Sequence, residues 1–253
     1  MRYYVRLRPG RLGRTTHCQR LVFGDGSITI LKEGEGVIGV LLVRHGETEL
    51  NTRGLLQGWR DSPLTEKGIQ QAQALRDRLA VEPFTHAVTS DLERAKQTMG
   101  ILLEGRELVV FETELLRERH YGKLEGTSEM VWRIQRERLR REKGEELIPE
   151  EGESRADVQR RTRQFIIEME ALKMGDRLLI VGHSHWNRQF LSDLLDVPEE
   201  NWDLLSSSHT GLTALCRDAV GSPWRCLFLD DTSHLAPPPP EPSKPEEEGA
   251  KEG

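Results

Sequence analysis

Two histidines in this 253-residue chain each close an apolar run, and that placement is its first chemical signal. Val37 to Val43, broken only by Gly39, ends in Arg44-His45-Gly46, and Leu178-Leu179-Ile180-Val181-Gly182 ends in His183. Short continuous apolar runs of this kind read as buried parallel strands. Open α/β sheets bind ligands at the carboxyl ends of such strands. Two more ionisable groups fall in comparable places: Arg94, in the first turn of a helix just beyond His86-Ala87-Val88-Thr89, and Glu118, in the polar loop after Phe111. Two guanidiniums, two imidazoles and a carboxyl at one sheet edge suit phosphoryl transfer to an imidazole. Neutral His45 attacks phosphorus, Arg44, Arg94 and His183 hold the equatorial oxygens, and Glu118 protonates the leaving oxygen.

The elements that must position these groups alternate between strand and helix. Thr65 is an expected N-cap, with Leu64 and Ile69 as a hydrophobic staple, for a helix that carries Ile69, Ala72, Leu75 and Leu79 on one face and ends before Pro83. A helix is expected over 92–103, a strand over 108–111 and a charged helix over 128–143. In the last of these, Glu129/Arg133 and Glu137/Arg141 are i,i+4 pairs that suit a solvated face. Ser154 with Asp157 opens a further helix whose Val158, Thr162, Phe165, Ile166, Met169 and Leu172 face inward. A helix from about Trp186 to Leu195 and strands at 212–216 and 225–229 complete the pattern. The alternation predicts a three-layer α/β sandwich, a mostly parallel sheet with helices on both faces.

Composition narrows the function classes. The net charge is −6, but residues 1–36 carry about +4 and residues 237–253 about −3, which leaves the middle near −7. That balance argues against a nucleic-acid partner. No apolar run approaches the ~20 residues that span a bilayer, so no membrane partner is expected. Cys18, Cys216 and Cys226 have no metal-ligand spacing, and their odd number suggests free thiols in a reducing compartment. The arginine-rich start lacks an apolar secretory core, so a cytoplasmic location is expected. Residues 1–36 read as an extension in which Arg20–Leu31 form a hairpin around Gly24-Asp25-Gly26. Residues 37–235 read as the working domain, and the proline- and glutamate-rich stretch 236–253 as a disordered tail.

Four motifs then occur in a familiar order. Arg44-His45-Gly46-Glu47-Thr48 with Asn51, Ser90-Asp91-Leu92-Glu93-Arg94 through Thr98, Leu116-Arg117-Glu118-Arg119-His120-Tyr121-Gly122, and Gly182-His183-Ser184 together resemble the signature of the histidine phosphatase superfamily, the phosphoglycerate mutase-like fold. The resemblance runs from about Val37 to Leu229. It implies His45 as phosphate acceptor, Glu118 as proton donor and acceptor, and phosphate contacts from Arg44, Arg94 and His183. It also implies a substrate side lined by Asn51, Gln57, Gly58, Arg119, Tyr121 and Ser184, with no cofactor or metal. Within the family, Phe84–Ala87, Gln97–Met99 and Leu116–Arg119 are most similar to the fructose-2,6-bisphosphatase-like, bisphosphoglycerate-cleaving branch. The family's mutases carry an Arg-Arg segment followed by prolines; here Trp132 to Lys143 has the arginines without the prolines, which favours hydrolysis. Near Ser208-His209-Thr210-Gly211 the family usually offers an asparagine, and His209 receives no role.

The expected activity is therefore metal-independent hydrolysis of a small phosphorylated metabolite. A phosphoglycerate mutase and a protein phosphatase are the alternatives within the family. From a different class comes a metallohydrolase using His45, His183, His185 and a carboxylate, but no HExxH or carboxylate-rich signature accompanies them. A catalytically silent scaffold would have no physical need for the full set of His45, Arg44, Arg94, Glu118 and His183.

Overall fold

The computed structural model describes residues 21–24, 27–30, 38–172 and 176–235. Six strands form one sheet: β3 (Ile38–Arg44), β4 (His86–Ser90), β5 (Val110–Thr113), β6 (Arg177–Gly182), β7 (Leu212–Arg217) and β8 (Arg225–Asp231), in the order β5-β4-β6-β3-β7-β8. β5, β4, β6 and β3 run parallel, whereas β7 and β8 are antiparallel to their neighbours. Two earlier strands, β1 (Leu21–Gly24) and β2 (Ser27–Ile30), pair with each other as the antiparallel arms of the expected hairpin. The rest of the extension and the expected tail, 236–253, lie outside the described residues.

The period-two geometry of a strand explains the layers. Along β3, Leu41 and Val43 point into one core with Leu75, Leu79, Ala95, Met99 and Leu102. Those partners belong to α2 (Glu66–Arg78) with its C-cap residue Leu79 and to α3 (Glu93–Leu102), after the single turn α1 (Glu49–Thr52). The alternate residues Val40 and Leu42 point into the opposite core with Val158, Phe165, Met169, Trp186 and Phe190. These belong to α5 (Arg155–Met169) and α6 (Ser184–Leu194). A sheet buried on both faces reads as unbroken apolar sequence, which is why 38–43 and 178–182 are so legible. The charged helix α4 (Glu129–Lys143) lies outside both cores and buries only Trp132.

Local signals held at most helix starts. Thr65 Oγ1 accepts from Gly68 N, and Ser154 forms a full capping box with Asp157. Two boundaries differ from expectation. β5 begins at Val110, two residues late, because Leu108 serves as packing against the α2–α3 core. α6 begins at Ser184, not near Trp186, with His183 as its N-cap residue. That earlier start places the orphan N–H groups of its first turn beside the strand exit.

Candidate active site

His45 follows the last residue of β3, and its N–H donates to Gly182 O of β6 at 3.1 Å. This backbone register sets the His45 and His183 rings side by side, 5.1 Å between centroids. His45 Nδ1 lies 2.7 Å from Gly46 O, and a carbonyl only accepts, so Nδ1 carries the proton. Nε2 therefore keeps a lone pair, which accepts from Arg94 Nε at 3.2 Å. Burial first, then the charges of Arg94, His183 and Arg44, push His45 well below the usual imidazole range. The ring is neutral at pH 7, as a nucleophile must be. Gly46 has a steric reason too: a Cβ there would stand 2.6 Å from Gly68 O, while its N–H donates to Thr98 Oγ1 at 3.0 Å.

Arg94 is 1% exposed and held on three sides. Nη1 donates to Asp61 Oδ1 at 2.8 Å and to Arg60 O at 3.2 Å, and Nη2 donates to Gly58 O at 2.8 Å. The N-cap residue of α3 is Leu92, which offers no side-chain cap. Asp61 supplies it from across the loop, with Oδ2 accepting from Glu93 N at 2.7 Å. One carboxylate thus caps the helix that carries Arg94 and neutralises Arg94 itself. Asp61→Ala is expected to lose a cap worth about 1 kcal/mol and to leave a buried cation unpaired. The measurement is a thermal melt beside kcat/KM, and both should fall. An unchanged melting temperature would show that the cap is not used.

Arg44 is half-buried; Nη1 donates to Ser207 O at 2.8 Å, and its Nε is buried with no partner. Burial draws its guanidinium down to about 10, with Glu118 and Glu129 opposing and Arg188 and Arg94 assisting, so it remains a cation. His183 is fully buried, neither ring nitrogen has a hydrogen-bond partner among the described residues, and burial and Arg94 hold it well below its ordinary range.

The Glu118 carboxylate lies on the N-terminus of α6. Oε1 accepts from Arg119 N at 2.9 Å, His185 N at 3.1 Å and Trp186 N at 3.2 Å, while Oε2 accepts only from His185 N, at 3.1 Å. Its charge reaches Arg44 and Arg94, so the five catalytic candidates share one electrostatic neighbourhood. Arg161 of α5 fixes the loop, donating to the carbonyls of Leu115, Arg117 and Glu118 and pairing with Glu153. The other carboxylates of this stretch face elsewhere. Glu114 pairs with Arg117, and Glu125 accepts from the backbone N–H groups of Trp59, Arg60 and Tyr121.

The substrate-side residues divide. Asn51 caps its own turn through Thr48, and Gln57 Nε2 donates to Thr48 Oγ1 at 2.7 Å, so both brace the loop after His45. Gly58 presents its carbonyl to Arg94 at φ +57°, where a Cβ would collide with the Glu125 carboxylate. Ser184 is part-exposed in the first turn of α6, next to His183. Tyr121 stands edge-on to Trp132, and burial together with Glu118 pushes its hydroxyl upward. Arg119 is the residue that the structure does not bring to the group. Its guanidinium is 2% exposed and spent on Glu146 Oε1 (2.8 Å) and Glu153 O (2.8 Å), pinning the 144–153 loop.

His185 also stays apart, with its ring 4.8 Å from Trp202 in an edge contact. Among the described residues, no three His, Cys, Asp or Glu side chains are grouped as a metal site, and none of the helices is long and apolar enough to cross a membrane. Asp61, Arg161 and Trp59 carried no expectation from the sequence, and His209 was named there without a role. His209 flanks His45 on a further side, 5.9 Å between centroids. β7 runs antiparallel to β3, with Leu212 opposite Val43, so it is the turn before β7 that reaches the site edge.

Comparison with known proteins agrees with this geometry. The sequence profile of the histidine phosphatase superfamily (branch 1) matches residues 40–232. An adenosylcobalamin/α-ribazole phosphatase of Salmonella typhimurium is 35% identical over 168 residues, 62% of this chain and 79% of that protein. A probable phosphoglycerate mutase, GpmB, of Yersinia enterocolitica is 35% identical over 211 residues, 80% of this chain and 97% of that protein. The solved structure of a mycobacterial glucosyl-3-phosphoglycerate phosphatase superposes with a TM-score of 0.66 at 28% identity, covering 77% of this chain and 99% of that one. None of these three bears the name of the fructose-2,6-bisphosphatase-like branch, so the match supports the superfamily and not that branch. With its motifs carried on the matching fold, the chain belongs to the histidine phosphatase superfamily, branch 1.

Proposed function

We propose that the chain hydrolyses a phosphate monoester of a small phosphorylated metabolite through a phosphohistidine on His45, without a metal ion. The observation that carries this reading is the fixed tautomer of His45, which leaves Nε2 as its unprotonated nitrogen. Nδ1–H is tied to Gly46 O, and Nε2 faces the Arg94 guanidinium. Nε2 attacks phosphorus in line with the ester bond, which breaks, and the leaving oxygen takes the proton of Glu118. Oε2 suits that transfer, since Oε1 is occupied by three N–H groups. A water then attacks the phosphoramidate and returns its proton to Glu118, the N–P bond breaks, and orthophosphate leaves. Arg44, Arg94 and His183 hold the phosphoryl oxygens through both steps, as preorganised charge and hydrogen bonding.

Support for the substrate class comes from relatives named for α-ribazole phosphate, phosphoglycerate and glucosyl-3-phosphoglycerate, all small phosphorylated metabolites. Hydrolysis is preferred to mutase chemistry because α4 lacks the prolines of the mutase segment. The test follows orthophosphate release and phosphoglycerate isomerisation in parallel over a panel of such esters. Isomerisation faster than release would replace hydrolase by mutase. Chelation with EDTA is expected to leave turnover unchanged, because guanidinium and imidazole groups supply the charge that a metal supplies elsewhere. Activity lost to EDTA and restored by Zn²⁺ or Mg²⁺ would favour the metallohydrolase.

A further inference from the structure

The turn that enters β7 is built with unusual care for a surface loop. Ser208 donates from N and Oγ to the Asp230 carboxylate, at 2.7 and 2.8 Å. Thr210 N donates to Arg44 O at 3.0 Å, and Arg44 Nη1 returns a bond to Ser207 O at 2.8 Å. Thr210 is held at φ +53°, a left-handed conformation costly for a β-branched residue, with its Oγ1 3.1 Å from His234 Nε2. All this braces His209, whose Nε2 lies 3.0 Å from Asn51 Oδ1.

We propose that His209 is a positioning residue that fixes the side-chain amide of Asn51, so that its NH₂ group serves the substrate phosphate. The atom assignment follows from the partners. Thr48 N, 3.1 Å from Asn51, can only donate, so the amide atom facing it is the oxygen. That same oxygen also receives Thr48 Oγ1 at 2.8 Å. An atom that accepts from Thr48 makes His209 the donor, with its proton on Nε2. Burial, Arg44 and Lys67 lower His209 to about 3, so it stays the neutral tautomer through the working pH range. Three donors saturate Oδ1. The amide cannot flip without setting N–H against N–H, so its two N–H donors remain directed away from Thr48 and His209. The His209 ring lies 5.9 Å from that of His45, so the His209–Asn51 pair borders the phosphate site.

The inference rests on the phosphoryl-transfer reading, and the test separates the two. Wild type, His209→Ala, His209→Gln, Asn51→Ala and the His209→Ala/Asn51→Ala double variant are compared for p-nitrophenyl phosphate hydrolysis and, by calorimetry, for orthophosphate binding. His209→Ala should weaken orthophosphate binding and lower kcat/KM about tenfold, the worth of one well-placed hydrogen bond. His209→Gln returns an N–H donor and should recover most of that loss. In the Asn51→Ala background, His209→Ala should cost nothing further. Additive losses in the double variant would overturn the proposal, as would equal effects of alanine and glutamine at 209. An intact cycle in orthophosphate binding, with no hydrolysis by wild type, would sink the phosphatase reading and leave His209 in place.

Discussion

Replacing His45 by alanine is expected to reduce kcat/KM by about 10⁴–10⁶-fold, the scale on which removal of a nucleophile acts when its partners function as a unit. The ring has no stand-in. His183 is neutral and adjacent, but both its nitrogens are enclosed and it lacks the Gly46 carbonyl that fixes a tautomer. A labelling experiment reads the same point directly. Wild type quenched after brief exposure to a ³²P-labelled ester should carry phosphate that is labile in acid and stable in base, as a phosphoramidate is. His45→Ala should carry none. Normal labelling of the variant would mean that the nucleophile lies elsewhere.

Glu118→Gln should fail selectively. The amide oxygen keeps the partners of Oε1, namely the N–H groups of Arg119, His185 and Trp186, so the loop stays in place. What is lost is the proton. General-acid help is worth about 10²–10⁴-fold, so an alkyl phosphate should suffer that much and a p-nitrophenyl ester, with its good leaving group, far less. Arg94→Ala removes charge that every phosphate needs, and both esters should lose on the order of 10²–10³-fold. Equal losses of the two esters in Glu118→Gln would remove Glu118 as the acid. Glu125 could not then inherit the role, because three backbone N–H groups already occupy it. His183 would become the next candidate.

The sequence marked the candidate site wherever that site coincides with a change of local pattern. His45 and His183 stand at the points where apolar runs stop, and a run buried on both faces has few alternative readings. Arg94 and the Ser154 cap were legible through helix starts, which are written in local residue choice. The unread parts are those that depend on distance in the chain. Asp61 caps a helix more than thirty residues away. Arg161 reaches back over forty residues to hold the carbonyls of the acid loop. His209 arrives on the return direction of an antiparallel strand. Arg119 shows the reverse case. It sits beside the acid in sequence, yet burial and Glu146 commit it to holding a loop.

Glu125 has a consequence for how the site breathes. Its carboxylate is the shared anchor of two loops, taking N–H groups of Trp59 and Arg60 on one and Tyr121 on the other, while Trp59 Nε1 reaches across to Glu118 O at 2.8 Å. Neither loop can swing outward alone without abandoning charge-assisted bonds to the other. The carbonyl that orients Arg94 and the carboxyl that handles the proton therefore travel on one stiff plate. An outward shift of one loop must therefore draw the other with it.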